Sequence, residues 1–437
     1  MIMTRIKQNF TPSTIIGLLF ALFAFFVVPS VAGGQWLKIF TSTACFTLAA
    51  AGVAFMYARL GMVSLAQVGL MGVGGWVMLR LNHGLLLPFE INFLAAGFTT
   101  MVFGMILALP ALRLRGLYLA LVTLMAAGGF EIIFGTFQFP NGGDGFWGVK
   151  SSFAAEFRRP FLAQSDAAYL RYTVLIVTLG FLLIALHRKL APGRAWALIR
   201  RSEAAAMSAG VNVTLYKTWA FAISGLLAGF AGALLAGSLG LLDGGTFRAS
   251  ESVMVFALAV VGGANYRLGA VIAGTLYRIL PALLNNWGLD ADLSFVIFGA
   301  GLLHAVITAP DGIAGQIMGL GRNLAAGFRF PQTADKTRRQ PISDIEVRDI
   351  KVHFGGVLAL DKISATFSEP VSGIIGPNGA GKTTLMNVFS GFVASEGGSI
   401  IADGTNLLTL PPHKRSQWGL RRSFQREEIA NDLTVYD

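Results

Sequence analysis

Charge is scarce in this chain. Only 13% of its 437 residues are Asp, Glu, Lys or Arg, against about a quarter in a soluble globular protein. That scarcity excludes an ordinary water-soluble domain over most of the length. Cysteine is almost missing, and the single Cys45 excludes an internal disulfide. No metal-ligand spacing and no nucleophilic triad pattern appears. Acidic side chains are outnumbered, 23 against 34 basic, for a net charge of +11. Much of that basic excess falls between apolar runs, where the cytoplasmic loops of membrane proteins carry it. Nucleic acid is therefore discounted as a partner.

What is abundant is apolar. The hydrophobic fraction is 54%, there are 53 glycines, and the mean hydropathy is +0.63. Glycine is more frequent in membrane helices than in soluble ones. Apolar runs close to the roughly 20 residues needed to cross a bilayer occupy 13–32, 37–58, 61–79, 91–112, 116–137, 169–186 and 216–239. A pair follows at 252–284, broken at 262–269, and a last run at 293–309. The first run, preceded by Arg5 and Lys7, is too long for a signal-peptide core and lacks a clean small-residue cleavage site. It reads as a first span with its basic end inside.

The basic residues at Arg59, Arg113/Arg115, Arg188/Lys189/Arg194/Arg200/Arg201 and Arg267 fall at alternate ends of these runs. All are cytoplasmic if the N-terminus is inside and the broken pair crosses twice or forms a re-entrant hairpin. The fold expected is thus mainly α, a polytopic membrane helix bundle of about 8–10 spans. Residues 138–168, with the turn-rich Asn141-Gly-Gly-Asp-Gly145, then lie outside, and residues 188–212 inside. Within the inner excursion 195–209 is helix-forming, with Trp196, Ile199 and Met207 as contacts and Gly210 as its stop. It reads either as a solvated surface helix or as a lever on another domain. Polar residues inside the apolar runs are few: Gln67, Glu131, Arg278 and His304. Such residues mark candidate substrate paths; Glu131 and Arg278 read equally as lying near a helix end or snorkelling, and His304, close to the inner end of its run, as structural.

The texture changes near the C-terminus. Residues 321–343, with Pro331, Pro341 and five basic side chains, read as a linker. Residues 345–354 alternate apolar and polar as a strand, 358–367 read as a second, and 399–402 as a third. Gly376-Pro-Asn-Gly-Ala-Gly-Lys-Thr-Thr384 matches G-x-x-x-x-G-K-[ST]. The apolar 371–375 ahead of it is expected as a buried strand, and 382–389 behind it as a helix. Glycines let backbone N–H groups close around phosphate oxygens. The helix N-terminus adds partial positive charge, with Lys382 assigned to the β- and γ-phosphates and the Thr383 hydroxyl to Mg²⁺.

This loop, preceded by Phe354-Gly-Gly-Val-Leu-Ala-Leu360 and followed by Arg422-Ser-Phe-Gln425, resembles the ATPase subunit of an ATP-binding cassette (ABC) importer. The membrane part resembles the permease of the branched-chain amino acid (Liv-type) class of those importers. The residues that carry the likeness are Tyr57-Ala-Arg-Leu-Gly-Met-Val-Ser-Leu-Ala-Gln-Val-Gly69, Leu112-Arg-Leu-Arg-Gly-Leu-Tyr-Leu-Ala-Leu-Val-Thr123, the stretch from Gly193 to Asn212 running into Tyr216-Lys217, and Ala309-Pro-Asp-Gly-Ile-Ala-Gly315. The resemblance implies a transmembrane permease domain over 1–320, with its coupling loop at about 188–212, the linker at 321–343, and the N-terminal part of a P-loop, α/β ABC ATP-binding domain over 344–437.

By resemblance, Phe354 stacks on adenine, and Gly376, Pro377, Asn378, Gly379, Ala380, Gly381, Lys382, Thr383 and Thr384 form the ATP cradle. Thr383 and Gln425, the Q-loop glutamine, contact Mg²⁺. Glu203, Ala204, Ala205, Ala206, Met207 and Gly210 match the coupling helix, which turns the lever reading into the expected one. The family's signature stretch, Walker B carboxylates and switch histidine do not follow Gln425. The chain is therefore expected to be truncated after the Q-loop and to bind ATP without hydrolysing it alone.

The implied partners are a second homologous permease, ABC ATPase subunits, a periplasmic substrate-binding protein and the lipid bilayer. The implied place is the bacterial inner membrane, with the N-terminus and the nucleotide-binding domain cytoplasmic. Two other readings of the same features are an ABC exporter half-transporter, which has about six spans with long cytoplasmic extensions, and a P-loop membrane nucleotide sensor without transport.

Overall fold

The structure is a computed structural model, describing residues 12–114, 116–143, 148, 157–290, 293–308, 311–324, 344–369 and 371–423. It divides into two compact units. One holds Met1–Leu190 and Lys217–Phe328, the other Ala191–Tyr216 and Arg329–Asp437.

The first unit is helical. Its elements are α1 (Pro12–Phe26), α2 (Val28–Val31), α3 (Gly34–Leu60), α4 (Gln67–Gly84), α5 (Phe89–Ala111), α6 (Leu117–Phe137) and α7 (Asp166–Lys189). After the excursion come α10 (Val213–Leu239), α11 (Ala249–Gly262), α12 (Arg267–Asn286), α13 (Leu293–Thr308) and α14 (Gly312–Leu324). Among the described residues, six helices are long and apolar enough to cross a membrane: α3, α5, α6, α7, α10 and α12. Shorter apolar helices cover Gly17–Val31, Ala249–Gly262 and Leu293–Leu303. The expected membrane bundle is therefore present, and the chain is a multi-pass membrane protein.

Two expected runs take a different form. The run at 61–79 does not begin as helix, because Gly61 adopts φ +66° and closes α3, its N–H bonding the Tyr57 carbonyl. Helix resumes only at Gln67. The pair at 252–284 does break where its glycines stand, with Gly263 at φ +104° between α11 and α12. At 14 residues α11 rises about 21 Å, short of a hydrocarbon core of about 30 Å.

Helices α3 and α10 are buried along most of their length and form the centre of this unit. Glycine makes the close packing possible. A Cβ on Gly74 of α4 would stand 2.5 Å from the Gly229 Cα of α10, and one on Gly104 of α5 would stand 2.5 Å from the Phe221 carbonyl oxygen. Small residues let membrane helices approach this way where the hydrophobic effect gives no drive for association. On the loop side of α7, Arg159 donates to the Gly237 and Ser238 carbonyls at 2.9 and 3.1 Å and pairs with Asp166 at 2.7 Å. It thereby caps the C-terminus of α10, whose last carbonyls have no helical partner.

The second unit contains α8 (Ala191–Arg201), α9 (Glu203–Ser208), β1 (Ile345–Phe354), β2 (Val357–Phe367), α15 (Lys382–Ser390), β3 (Gly397–Ala402), β4 (Thr405–Asn406) and α16 (Pro412–Trp418). The strands form one antiparallel sheet in the order β2-β1-β3-β4, with Ile345 opposite both Phe367 and Ala402. Val347, Ile350 and Val352 of β1 pack with Ile400 of β3 and with Leu385, Val388 and Phe389 of α15 to make its core. A bulge at Arg348–Asp349 shifts the register.

The strand expected at 371–375 is not there. The segment is irregular, with Val371 90% and Ile375 97% exposed. Among the described residues no strand pairs with it. Without ladder partners, its backbone N–H and C=O groups are better satisfied by water.

Candidate functional site

The phosphate-binding sequence folds as a glycine-shaped loop running straight into a helix. Gly379 and Gly381 have φ of +86° and +80°, conformations that cost other residues about 1–2 kcal/mol. A Cβ on Gly381 would stand 2.7 Å from both the Ala359 carbonyl oxygen and Leu360 Cδ2, so the loop is seated on β2. Around Gly379 there is open space. The Ala380 N–H bonds the Pro377 carbonyl at 3.2 Å, and the Leu385 N–H bonds that of Gly381 at 2.8 Å, starting α15. Lys382 Nζ lies across the loop, donating to the Gly376 and Pro377 carbonyls at 2.6 and 2.7 Å.

The structure thus brings Gly376, Pro377, Asn378, Gly379, Ala380, Gly381, Lys382, Thr383 and Thr384 into one exposed cradle. Its donors are backbone N–H groups at a helix start, an ammonium and two hydroxyls, a set that fits a polyphosphate with Mg²⁺. Phe354 ends β1 opposite Val357 with its ring half exposed, two residues along β2 from the Gly381 contact. Gln425 lies outside the described residues.

The expected coupling segment is two helices rather than one. Ser202 is extended and caps α9 by accepting the Ala205 N–H at 3.2 Å, which breaks the predicted helix over 195–209. Gly210 closes α9 with φ +84°, and the Val211 N–H reaches back to the Ala206 carbonyl at 2.9 Å. Trp196 of α8 is fully buried, its indole N–H donating to the Tyr216 carbonyl at 2.9 Å. Of the expected coupling residues, Ala205 and Ala206 are buried, while Glu203, Ala204, Met207 and Gly210 are half-buried.

What α9 packs against is α16. Gln417 Nε2 donates to the Gly210 carbonyl at 2.8 Å, and the Ser416 hydroxyl donates to that of Ser208. The preceding residue on α16, Arg415, turns the other way. Its guanidinium donates to the Val388 and Phe389 carbonyls at 2.6 and 2.9 Å, and to that of Leu410 at 2.7 Å. Val388 and Phe389 are in the last turn of α15, where carbonyls lack helical partners and a cation is favoured by the dipole. Burial pushes the Arg415 pKa below its ordinary value, but a guanidinium starts so high that it stays charged. One short helix therefore ties the phosphate-loop helix to α9. Sequence reasoning missed Arg415, Ser416 and Gln417, because a seven-residue polar helix carries no apolar periodicity to mark it. Arg422, four residues beyond the end of α16, donates to Asn387 Oδ1 at 2.6 Å.

The polar residues of the membrane unit have separate fates. Gln67 is buried between α3, α4 and α10. Its amide donates to the Ala49 and Ser224 carbonyls at 3.1 and 3.2 Å and accepts from the Ser224 hydroxyl at 3.0 Å. Glu131 accepts the Ala249 N–H at 2.8 Å, at the start of α11. Arg278 lies over the Phe46 ring at 5.8 Å from its centroid. The side chain of His304 lies outside the described residues. Among the described residues, no group of His, Cys, Asp and Glu is arranged to hold a metal ion.

Comparison with known proteins covers both units. A family model described as branched-chain amino acid transport system, permease component, matches residues 35–306, and one described as ABC transporter matches 360–437. The high-affinity branched-chain amino acid transport system permease protein LivM of Salmonella typhimurium is 29% identical over 303 residues, covering 63% of this chain and 69% of the relative. The ATP-binding protein BraF of Pseudomonas aeruginosa, of a high-affinity branched-chain amino acid transport system, is 38% identical over 94 residues, 21% of this chain. LivG of Escherichia coli, an ATP-binding protein of the same description, is 33% identical over 99 residues. The chain spans 37% and 38% of the lengths of these two ATP-binding relatives. No solved structure matches the chain.

Proposed function

Because the chain belongs to the family of permease components of branched-chain amino acid transport systems, with an ABC transporter segment following in the same polypeptide, we propose that it is the permease of an ATP-driven importer of branched-chain or related amino acids. It pairs with a second, homologous permease and with ABC ATPase subunits, and it takes substrate from a periplasmic binding protein. The reading places it in the inner membrane, with the N-terminus, the α8–α9 excursion and the ATP-binding segment cytoplasmic, where the basic residues flanking the spans are favoured. Residues 1–320 form the permease, 321–343 the linker and 344–437 the ATP-binding segment.

The observation that carries this reading is the α9–α16 contact. An excursion between two membrane helices that merely lay on a lipid surface has no reason to close two hydrogen bonds onto an ATP-binding segment. The loop Gly376–Thr384 holds ATP, Thr383 and Gln425 hold Mg²⁺, and Phe354 supports adenine. Bound Mg-ATP supplies the free energy that alternates access to the substrate path. Within this chain, movement of α15 is passed through Arg415 to α16 and from there to α9.

The test is leucine uptake by cells whose own branched-chain uptake is deleted, given this chain with the genes that neighbour it. Uptake should require the binding protein and fall to background with Lys382→Ala. Uptake that persists without any binding protein contradicts the importer reading.

A further inference from the structure

Among the polar residues of the apolar runs, Gln67 and Glu131 find hydrogen-bond partners on neighbouring helices. Arg278 does not. It sits in the interior of α12, about 16 Å along the axis from Arg267 and about 12 Å from Asn286, at 1.5 Å per residue. An arginine side chain near a helix end snorkels to the interface, whereas Arg278 stands two turns or more from either end of α12. Its Nε is buried without a hydrogen-bond partner, and among the described residues no carboxylate forms an ion pair with it. Its guanidinium lies over the face of Phe46 on α3. A charged side chain at such a position is costly and is retained where it serves a path or a ligand.

The surroundings give the ligand's character. The Tyr277 ring packs against Phe46, tilted by 42° with centroids 4.3 Å apart, and its hydroxyl donates to Glu251 at 2.6 Å. The Tyr277 ring thus presents apolar surface, with its hydroxyl turned to Glu251. One turn before Phe46 on the same face of α3, the Ser42 hydroxyl is 1% exposed as a residue and also lacks a partner. The neighbourhood therefore holds a guanidinium fork and an idle hydroxyl beside two aromatic rings. A guanidinium pairs best with a planar carboxylate, bidentately.

We propose that Arg278 recognises the carboxylate of the transported amino acid within the membrane, with Phe46 and Tyr277 against its apolar side chain. This rests on the reading of the chain as an amino acid permease and assigns that permease a recognition residue on α12.

Binding is measured on the purified full chain in lipid nanodiscs with radiolabelled leucine, competed by 4-methylpentanoate, which keeps the carboxylate and lacks the amine, and by 3-methylbutylamine, which does the reverse. The acid should compete and the amine should not. Arg278→Gln should weaken leucine binding about tenfold or more, and Arg278→Lys, a point charge without the fork, by less. Unchanged affinity in Arg278→Gln, equal competition by the amine, or no binding of either carboxylate by the wild-type chain overturns the proposal. If Arg278→Gln does not accumulate, Arg278→Lys decides, since wild-type affinity there refutes bidentate recognition. Arg278-dependent binding of 4-methylpentanoate in a chain whose assembled transporter carries no leucine leaves the carboxylate site standing and refutes the transport reading instead.

Discussion

The side-chain amide of Gln417 donates to the carbonyl of Gly210 at 2.8 Å, joining a helix of the ATP-binding segment to the stop of the short helix between two membrane spans. Gly210 is glycine for two reasons. Its φ of +84° is left-handed, and a Cβ there would press to 3.0 Å from Gln417 Cγ. The contact is thus built from backbone on one side and side chain on the other.

Removing that side chain weakens the contact while leaving Gly210 untouched. Gln417→Ala should lose about 0.5–1.5 kcal/mol of contact free energy, the net worth of a neutral hydrogen bond. In the assembled transporter this appears as substrate uptake lowered several-fold, with affinity for a fluorescent ATP analogue unchanged. Gln417→Glu keeps the size of the side chain but has no proton to donate, and it should be no better than alanine.

Arg415 is a positioning residue for the same relay. Its guanidinium holds the last carbonyls of α15 and, one and two residues along α16, Ser416 and Gln417 hold α9. Arg415→Ala removes the guanidinium donor from the Phe389 carbonyl and leaves that of Val388 with the Gly391 N–H, and it should lower both the melting temperature of the chain and its uptake. Arg415→Lys restores charge at the α15 C-terminus without the fork. It should recover most of the stability and little of the coupling, read as the ratio of uptake to ATP-analogue binding. Recovery of both to the same degree would make Arg415 merely structural.

The contact also has a pH dependence with a definite sign. Burial, with Lys414 adding a smaller push, holds the His413 pKa below its ordinary value, which is about 6.5. The folded form therefore favours neutral imidazole. Its contribution is complete above about pH 6.5 and is lost as pH falls through the lowered folded value. Amides of 203–210 should be less protected from hydrogen exchange at acidic than at neutral pH, after correction for intrinsic rates. His413→Gln should remove that difference.

The parts legible in the sequence were those held by local rules. The alternation over 345–354 predicted β1, and the glycines with Lys382 predicted the loop and α15, because strand period and left-handed glycine are properties of neighbouring residues. The stop at Gly210 and the break near Gly263 were legible for the same reason. The segment 371–375 was not, since an apolar run becomes a strand only when other strands offer it hydrogen bonds. Gly61 was read as part of an apolar run because hydropathy is blind to φ. The break of 195–209 at Ser202 and the role of Arg415 depend on a cap and on carbonyls 26 and 27 residues away in sequence, which no window of neighbouring residues contains.

The central claim is that nucleotide held at Gly376–Thr384 is felt at α9 through α16. Hydrogen exchange of residues 203–210 in the full chain, with and without Mg-ATP, tests it most directly. Mg-ATP should change the protection of these amides in the wild-type chain and leave it unchanged in Gln417→Ala, at equal nucleotide occupancy. Nucleotide binding to the wild-type chain that leaves 203–210 unaltered would contradict the account.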